Sequence, residues 1–105
     1  MKMKQTDNIF VYGTLQNPVI RSGVIGKEVK TYIGLLKGFK RGEIIQDGIK
    51  YPIIRHTGDT EDFIEGVYFK VDDEDLQNMD KYEGEGYIRK RVTLVNGIEA
   101  WVYCE

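Results

Sequence analysis

A chain of 105 residues, 41% hydrophobic and 30% charged, has the size and composition of one folded domain built on one core, spanning residues 1–105. Its 15 Lys and Arg against 17 Asp and Glu leave a net charge of −2 with neither sign segregated, which excludes a phosphate-tracking surface and with it a nucleic-acid partner. No apolar run reaches the roughly 20 residues of a bilayer span, Met1 to Asn8 is polar with no secretory core, and the one cysteine, Cys104, has no partner for an intramolecular disulfide, so a cytoplasmic setting without membrane association is expected.

Taken in chain order, Asn8 to Tyr12 is an apolar run that stops at Gly13, which predicts a buried strand feeding a sharp turn. Asn17-Pro18 has the form of a helix start, Asn capping and Pro at the first helical position, and Gly23 and Gly26 keep that helix short. Apolar residues recur at strand spacing over Val29 to Leu36 and over Phe39 to Gln46. Asp47-Gly48 then favours the positive φ angles of a tight hairpin turn into a further strand, Ile49 to Arg55. Within it, Tyr51-Pro52 interrupts the pattern, which predicts an edge or rim position.

Phe63 to Val71 is the next strand. Asp72 to Asp75 follows, ahead of Leu76, Met79 and Tyr82 at three-residue spacing, which predicts a helix with an acidic first turn favoured by the helix dipole. That run needs no calcium to explain it. A loop beginning at Asp72 would place Gln77 where the sixth-position glycine belongs, and Glu83 at its twelfth position is one matching ligand only. The chain then reads as a hairpin, Tyr87 to Val95 and Ile98 to Tyr103 around Asn96-Gly97. A two-residue turn there sets Val92 opposite Trp101 and Lys90 opposite Tyr103. Apolar residues on both faces of this hairpin predict a sheet curled into a barrel or covered by helices. The fold expected is α+β: a small, mostly antiparallel curled sheet or barrel with two short helices.

Three separated pieces carry the chemistry: Val11-Tyr12-Gly13-Thr14-Leu15, Tyr51-Pro52, and Asp80-Lys81-Tyr82-Glu83-Gly84-Glu85-Gly86-Tyr87-Ile88-Arg89. In this order, with a closing strand that bears Tyr103, they resemble the γ-glutamylcyclotransferase-like family, especially its small members similar to γ-glutamylamine cyclotransferases. The resemblance spans nearly the whole chain. It implies a small-molecule γ-glutamyl substrate, converted to 5-oxoproline and a free amine, with Glu83 as general acid and base. Cyclisation needs no metal or cofactor, because the α-amine that attacks and the γ-carbonyl that is attacked belong to one molecule.

The resemblance further implies that Tyr12, Gly13, Thr14 and Leu15 cradle the glutamyl group, and it matches Tyr87 and Tyr103 to tyrosines near the catalytic carboxylate. Physical chemistry is compatible with these roles. Glu83 is expected at the C-terminal end of the acidic helix, where the dipole and burial both disfavour ionisation and raise its pKa. The Gly13 turn exposes backbone N–H groups suited to an anion. Tyr51 and Pro52 are expected near the pocket. Arg89 is expected to pair with Glu83 or Glu85, or to form an ordinary surface ion pair.

Other chemistries find little support. His56 stands alone, so a multi-histidine metal centre cannot be built. Cys104 lies one residue from a terminus expected to fray, which argues against a Cys104–His56 nucleophile and base. Gly23-Val24-Ile25-Gly26 imitates a nucleic-acid loop without basic surroundings, and Gly26-Lys27 lacks the remainder of a phosphate loop. Two competing readings stay open: a catalytically inactive module of the same fold that only binds a small ligand, and an interaction domain with an incidental pocket. No insertion is long enough for a lid, which favours an open site and a bulky amine. Nothing in the residues specifies that amine or an oligomeric state.

Overall fold

The run Ile9-Phe10-Val11-Tyr12 is apolar without a break because the strand that carries most of it is covered on both faces in the computed structural model. The structure describes residues 6–105; the segment 1–5, on which the expectation of no secretory leader partly rests, lies outside the described residues. In chain order the elements are β1 (Thr6–Val11), a 3-10 turn (Thr14–Gln16), α1 (Pro18–Ile25), β2 (Tyr32–Lys37), β3 (Phe39–Gln46), β4 (Ile49–His56), β5 (Phe63–Asp72), α2 (Asp73–Glu83), β6 (Ile88–Thr93) and β7 (Glu99–Cys104). A five-stranded sheet has the order β2-β5-β1-β7-β6, and β3-β4 form a separate two-stranded sheet. Pairing is antiparallel throughout except for the short parallel contact of β1 with β7. This is the expected α+β architecture with curled sheets and two helices. The barrel alternative is not realised, because the five-stranded sheet ends at β2 and β6 and does not close on itself.

Side chains of β1 alternate between two cores. Ile9 and Val11 point to the face covered by both helices, where they pack with Leu15, Ile25, Phe69, Val71, Leu76 and Met79. Phe10 and Tyr12 point to the other face, which the β3-β4 hairpin covers with Phe39 and Ile54. Each such side chain, fully buried, contributes roughly 1.5–3 kcal/mol. Phe10 fits only because β5 offers Gly66 beneath it. A Cβ at Gly66 would stand 2.3 Å from the Val11 carbonyl oxygen and 2.8 Å from Phe10 Cζ.

Both helices begin as the sequence predicts. Asn17 caps α1 by accepting from the Val19 and Ile20 amides, and Asp72 and Asp75 form a reciprocal capping box at the start of α2. Lys27 reaches Asp75 Oδ2 at 2.7 Å and ties the two helices together. Gly84, at φ 76°, ends α2 directly after Glu83. The Asp47-Gly48 turn has positive φ at both residues and sets Gln46 opposite Ile49, the two-residue geometry expected.

Three expectations are corrected. In the last hairpin Val92 faces Ala100 and Lys90 faces Val102, one residue away from the predicted register. The turn holds three residues, not two: Leu94 accepts from Gly97 and donates to Ile98, and Gly97 takes φ 87°. That shift puts Arg89 opposite Tyr103, so that these two side chains share a face. The second strand begins at Tyr32 instead of Val29, whose side chain packs against the helix-side core. Finally, the chain end does not fray: Cys104 is buried in β7, and the Glu105 amide donates to the Ile54 carbonyl. Burial also pushes the Cys104 thiol up, which disfavours the thiolate that a nucleophile needs. Among the described residues, no helix is long and apolar enough to cross a membrane.

Candidate active site

The end of β1, the turn after it, the β3-β4 hairpin and the end of α2 converge on one cavity of about 260 Å³. Its walls include all nine residues singled out from the sequence: Tyr12, Gly13, Thr14 and Leu15 from the turn, Tyr51 and Pro52 from β4, Glu83 from α2, Tyr87 and Tyr103. Four further residues complete the walls, Phe10 and Gln46 from outside the three pieces and Val11 and Tyr82 from within them, though neither of these two was singled out for the site. Phe10 and Val11 follow from the strand that delivers the turn. Tyr82 sits inside the Tyr-Glu-Gly segment, and Gln46 immediately precedes the hairpin turn, so position along the chain was the available signal.

The Tyr12–Leu15 turn is held from two sides. Arg21, buried on α1, donates to the carbonyls of Leu15 (3.3 Å) and Gln16 (3.2 Å) and stacks over Phe69. From the hairpin side, the Arg41 guanidinium lies over the Tyr12 ring and meets the Tyr12 carbonyl at 3.5 Å. At the rim, the Thr14 and Tyr82 hydroxyls share a hydrogen bond of 2.7 Å, joining the turn to α2. A Cβ at Gly13 would make only an ordinary 3.6 Å contact with Pro52 Cγ, so glycine here keeps the turn's backbone open to the cavity instead of relieving a clash.

Glu83 is half-buried, and among the described residues no hydrogen bond or ion pair holds its carboxylate. Burial pushes its pKa up to about 7. The acid is therefore divided between its two protonation states near neutral pH, the condition for accepting and returning a proton. Tyrosines surround it. Burial first, then the neighbouring Glu83 charge, pushes Tyr87 up to about 12. Tyr12 and Tyr103 are also pushed up, chiefly by burial. All three stay protonated at neutral pH and act as hydroxyl donors.

Their hydroxyls do not reach Glu83. Tyr12 donates to the Tyr103 carbonyl, Tyr87 donates to the Pro52 carbonyl at 2.6 Å, and Tyr103 donates to Asp80 at 2.6 Å. Arg89 likewise pairs with neither Glu83 nor Glu85, but forms a two-pronged ion pair with Asp80 at 2.9 and 3.2 Å. Asp80 lies one helical turn before Glu83 and is the carboxylate that the tyrosine and arginine share. The rim carries Gln46, whose amide nitrogen would be 2.1 Å from a Cβ at residue 86, so Gly86 permits its approach.

Residues 9–105 match the family model described as gamma-glutamyl cyclotransferase, AIG2-like. The chain is 31% identical over 91 residues to protein AIG2 C of Arabidopsis thaliana, covering 87% of this chain and 53% of that one. It is 32% identical over 92 residues to AIG2-like protein A of the same plant, with the same shares. The chain thus spans about half the length of the curated relatives it matches. A solution structure from Arabidopsis thaliana resembles it with a TM-score of 0.81 at 27% identity, covering 99% of this chain and 66% of the other. A structure named gamma-glutamyl cyclotransferase shares the fold with a TM-score of 0.75 at 17% identity, covering 95% of this chain and 66% of that one.

Proposed function

Since the chain belongs to the gamma-glutamyl cyclotransferase, AIG2-like family, we propose that it cyclises a γ-glutamyl amide to 5-oxoproline and releases an amine. The observation that carries this reading is a half-buried, unpaired Glu83 with its pKa near 7 on the wall of the cavity that the Tyr12–Leu15 turn also lines. A cavity that merely captured an anionic ligand would gain nothing from a buried carboxylate, which favours turnover over simple binding.

The chemistry balances within one substrate. Glu83 as carboxylate takes a proton from the α-ammonium, and the freed amine attacks the γ-carbonyl carbon, forming the ring C–N bond. The tetrahedral carbon then expels the original amide nitrogen, which receives that proton from Glu83, and the ring nitrogen gives up its remaining extra proton, which the released amine takes up to leave as an ammonium. No water is consumed, and the acid ends as it began. The turn at Gly13 contributes by folding the acyl chain so that amine and carbonyl meet, and effective concentration is where such a site gains most of its rate. Protonated Tyr12, Tyr87 and Tyr103 form polar walls that do not compete for the proton. The cavity opens at a rim made by Gln46, Tyr51 and Tyr82, with no charged side chain among these three, and the departing amine leaves past them.

The test is incubation of the protein with a panel of γ-glutamyl amides and isopeptides, followed by mass spectrometry. Release of 5-oxoproline with the matching amine is expected. Free glutamate in its place would mean hydrolysis, and a ligand retained unchanged across the panel would support a binding module.

A further inference from the structure

Asp80 has no role in the proton transfers above, yet it is the most heavily engaged carboxylate near the cavity. Its Oδ1 accepts from the Tyr103 hydroxyl at 2.6 Å and from Arg89 Nε at 2.9 Å, while its Oδ2 accepts from Arg89 Nη2 at 3.2 Å. Arg89 is fixed in turn by stacking over Trp101, 4.5 Å from the ring centre. Tyr103 reaches the cradle through its own carbonyl, which accepts the Tyr12 hydroxyl. A continuous chain of contacts thus runs from the last turn of α2 through β6 and β7 to the turn after β1. Asp80 precedes Glu83 by three residues, so both lie on neighbouring parts of one helix surface.

We propose that the Asp80–Arg89 pair, together with the Tyr103 hydroxyl, is a positioning clamp that holds the last turn of α2 so that Glu83 faces the Tyr12–Leu15 turn. This rests on the reading of Glu83 as the proton carrier. An isolated ion pair at a surface contributes little, and Asp80 is partly exposed. Here the two-pronged arginine geometry and a third donor fix direction as well as distance. Beyond the clamp, the helix end that carries the acid is restrained by the Gly84 cap, the Thr14–Tyr82 contact and buried Met79, none of which fixes the direction in which Glu83 points. The titratable groups that share the cavity walls with Glu83 are Tyr12 just after β1, Tyr51 of β4, Tyr82 of α2, Tyr87 before β6 and Tyr103 of β7, and the Glu83 charge is felt at Tyr12, Tyr87 and Tyr103. Asp80 and Arg89 stand behind Tyr103.

The decisive variant is Arg89→Lys, which keeps the charge and removes the fork. The Glu83 carboxyl signal is followed by carbon-13 NMR titration, assigned by its disappearance in Glu83→Gln. In Arg89→Lys the midpoint is expected to fall by about one unit or more toward the ordinary carboxylate range, as the helix end loosens and Glu83 gains solvent. Asp80→Asn, which weakens both contacts, is expected to do the same. In both variants kcat should fall about tenfold or more with KM nearly unchanged, because the acid is misplaced while the cradle remains. A lowered Tm with the Glu83 midpoint unmoved in both variants would overturn the clamp and leave a purely structural pair. The titration needs no substrate. If no γ-glutamyl amide is turned over, the proposed reaction fails while the clamp is still decided by the midpoint.

Discussion

The hydroxyl of Tyr87 donates to the carbonyl of Pro52 at 2.6 Å, bridging the segment that follows Glu83 to the strand that walls the far side of the cavity. Pro52 faces Glu43 within an unbroken β3-β4 ladder, at a position where the missing amide hydrogen costs no pairing bond, and its carbonyl is free to accept from the tyrosine. Both residues line the cavity, so this bond ties β4 to the segment after α2 along its wall.

Tyr87→Phe should therefore loosen one wall without touching the proton carrier. Steady-state kinetics should show KM raised several-fold and kcat within about twofold of wild type. Urea denaturation should show a loss of about 1 kcal/mol, the usual cost of one neutral hydrogen bond. A collapse of kcat instead would assign the Tyr87 hydroxyl a direct part in the reaction.

Glu83 makes the fold less stable at alkaline pH. Its pKa is raised in the folded state, to about 7 from an ordinary value of 4.5, so the folded chain holds the proton more tightly than the unfolded one. The stability that goes with this is present in full below about pH 4.5 and is lost as pH rises through about 7. Allowing for partial exposure, the loss is about 2 kcal/mol. Glu83→Gln removes the charge, so its Tm should exceed that of wild type at pH 8 and match it near pH 4.5. Equal Tm at both values would mean that Glu83 is solvated.

Gly34 and Gly66 face each other across β2 and β5 beneath Phe10, and their tolerance should differ. Gly66→Ala meets a backbone oxygen at 2.3 Å and should cost about 3 kcal/mol, with loss of activity as Val11 shifts. Gly34→Ala meets only the side chains of Tyr68, Phe10 and Leu94, at 3.1 Å or more, and should cost about 1 kcal/mol. Chemical denaturation of the two variants checks the order.

Local signals in the sequence located most elements. Caps at Asn17 and Asp72, the Asp47-Gly48 turn and the two-faced apolar run of β1 depend on neighbours in the chain, and the structure follows them. Legibility ended where geometry joins distant segments. Asn96-Gly97 promised a two-residue turn, but Val95 entered the loop and shifted the register by one. Arg89 was matched to the acids nearest in sequence, whereas helix rotation turns Asp80 toward it. The support of the cradle by Arg21 was equally hidden, since a lone arginine on a short helix looks like a solvated residue until its turn is folded against Leu15.

The central claim is that one half-buried carboxylate moves the proton that closes the ring. The most direct measurement compares 5-oxoproline release by wild type and Glu83→Gln across pH, on whichever γ-glutamyl amide the wild type turns over fastest. Wild-type kcat should rise with pH through a midpoint near 7, and the variant should lose about a thousandfold in rate while remaining folded. Undiminished turnover in Glu83→Gln, or a wild-type profile with no titration near neutrality, would contradict it.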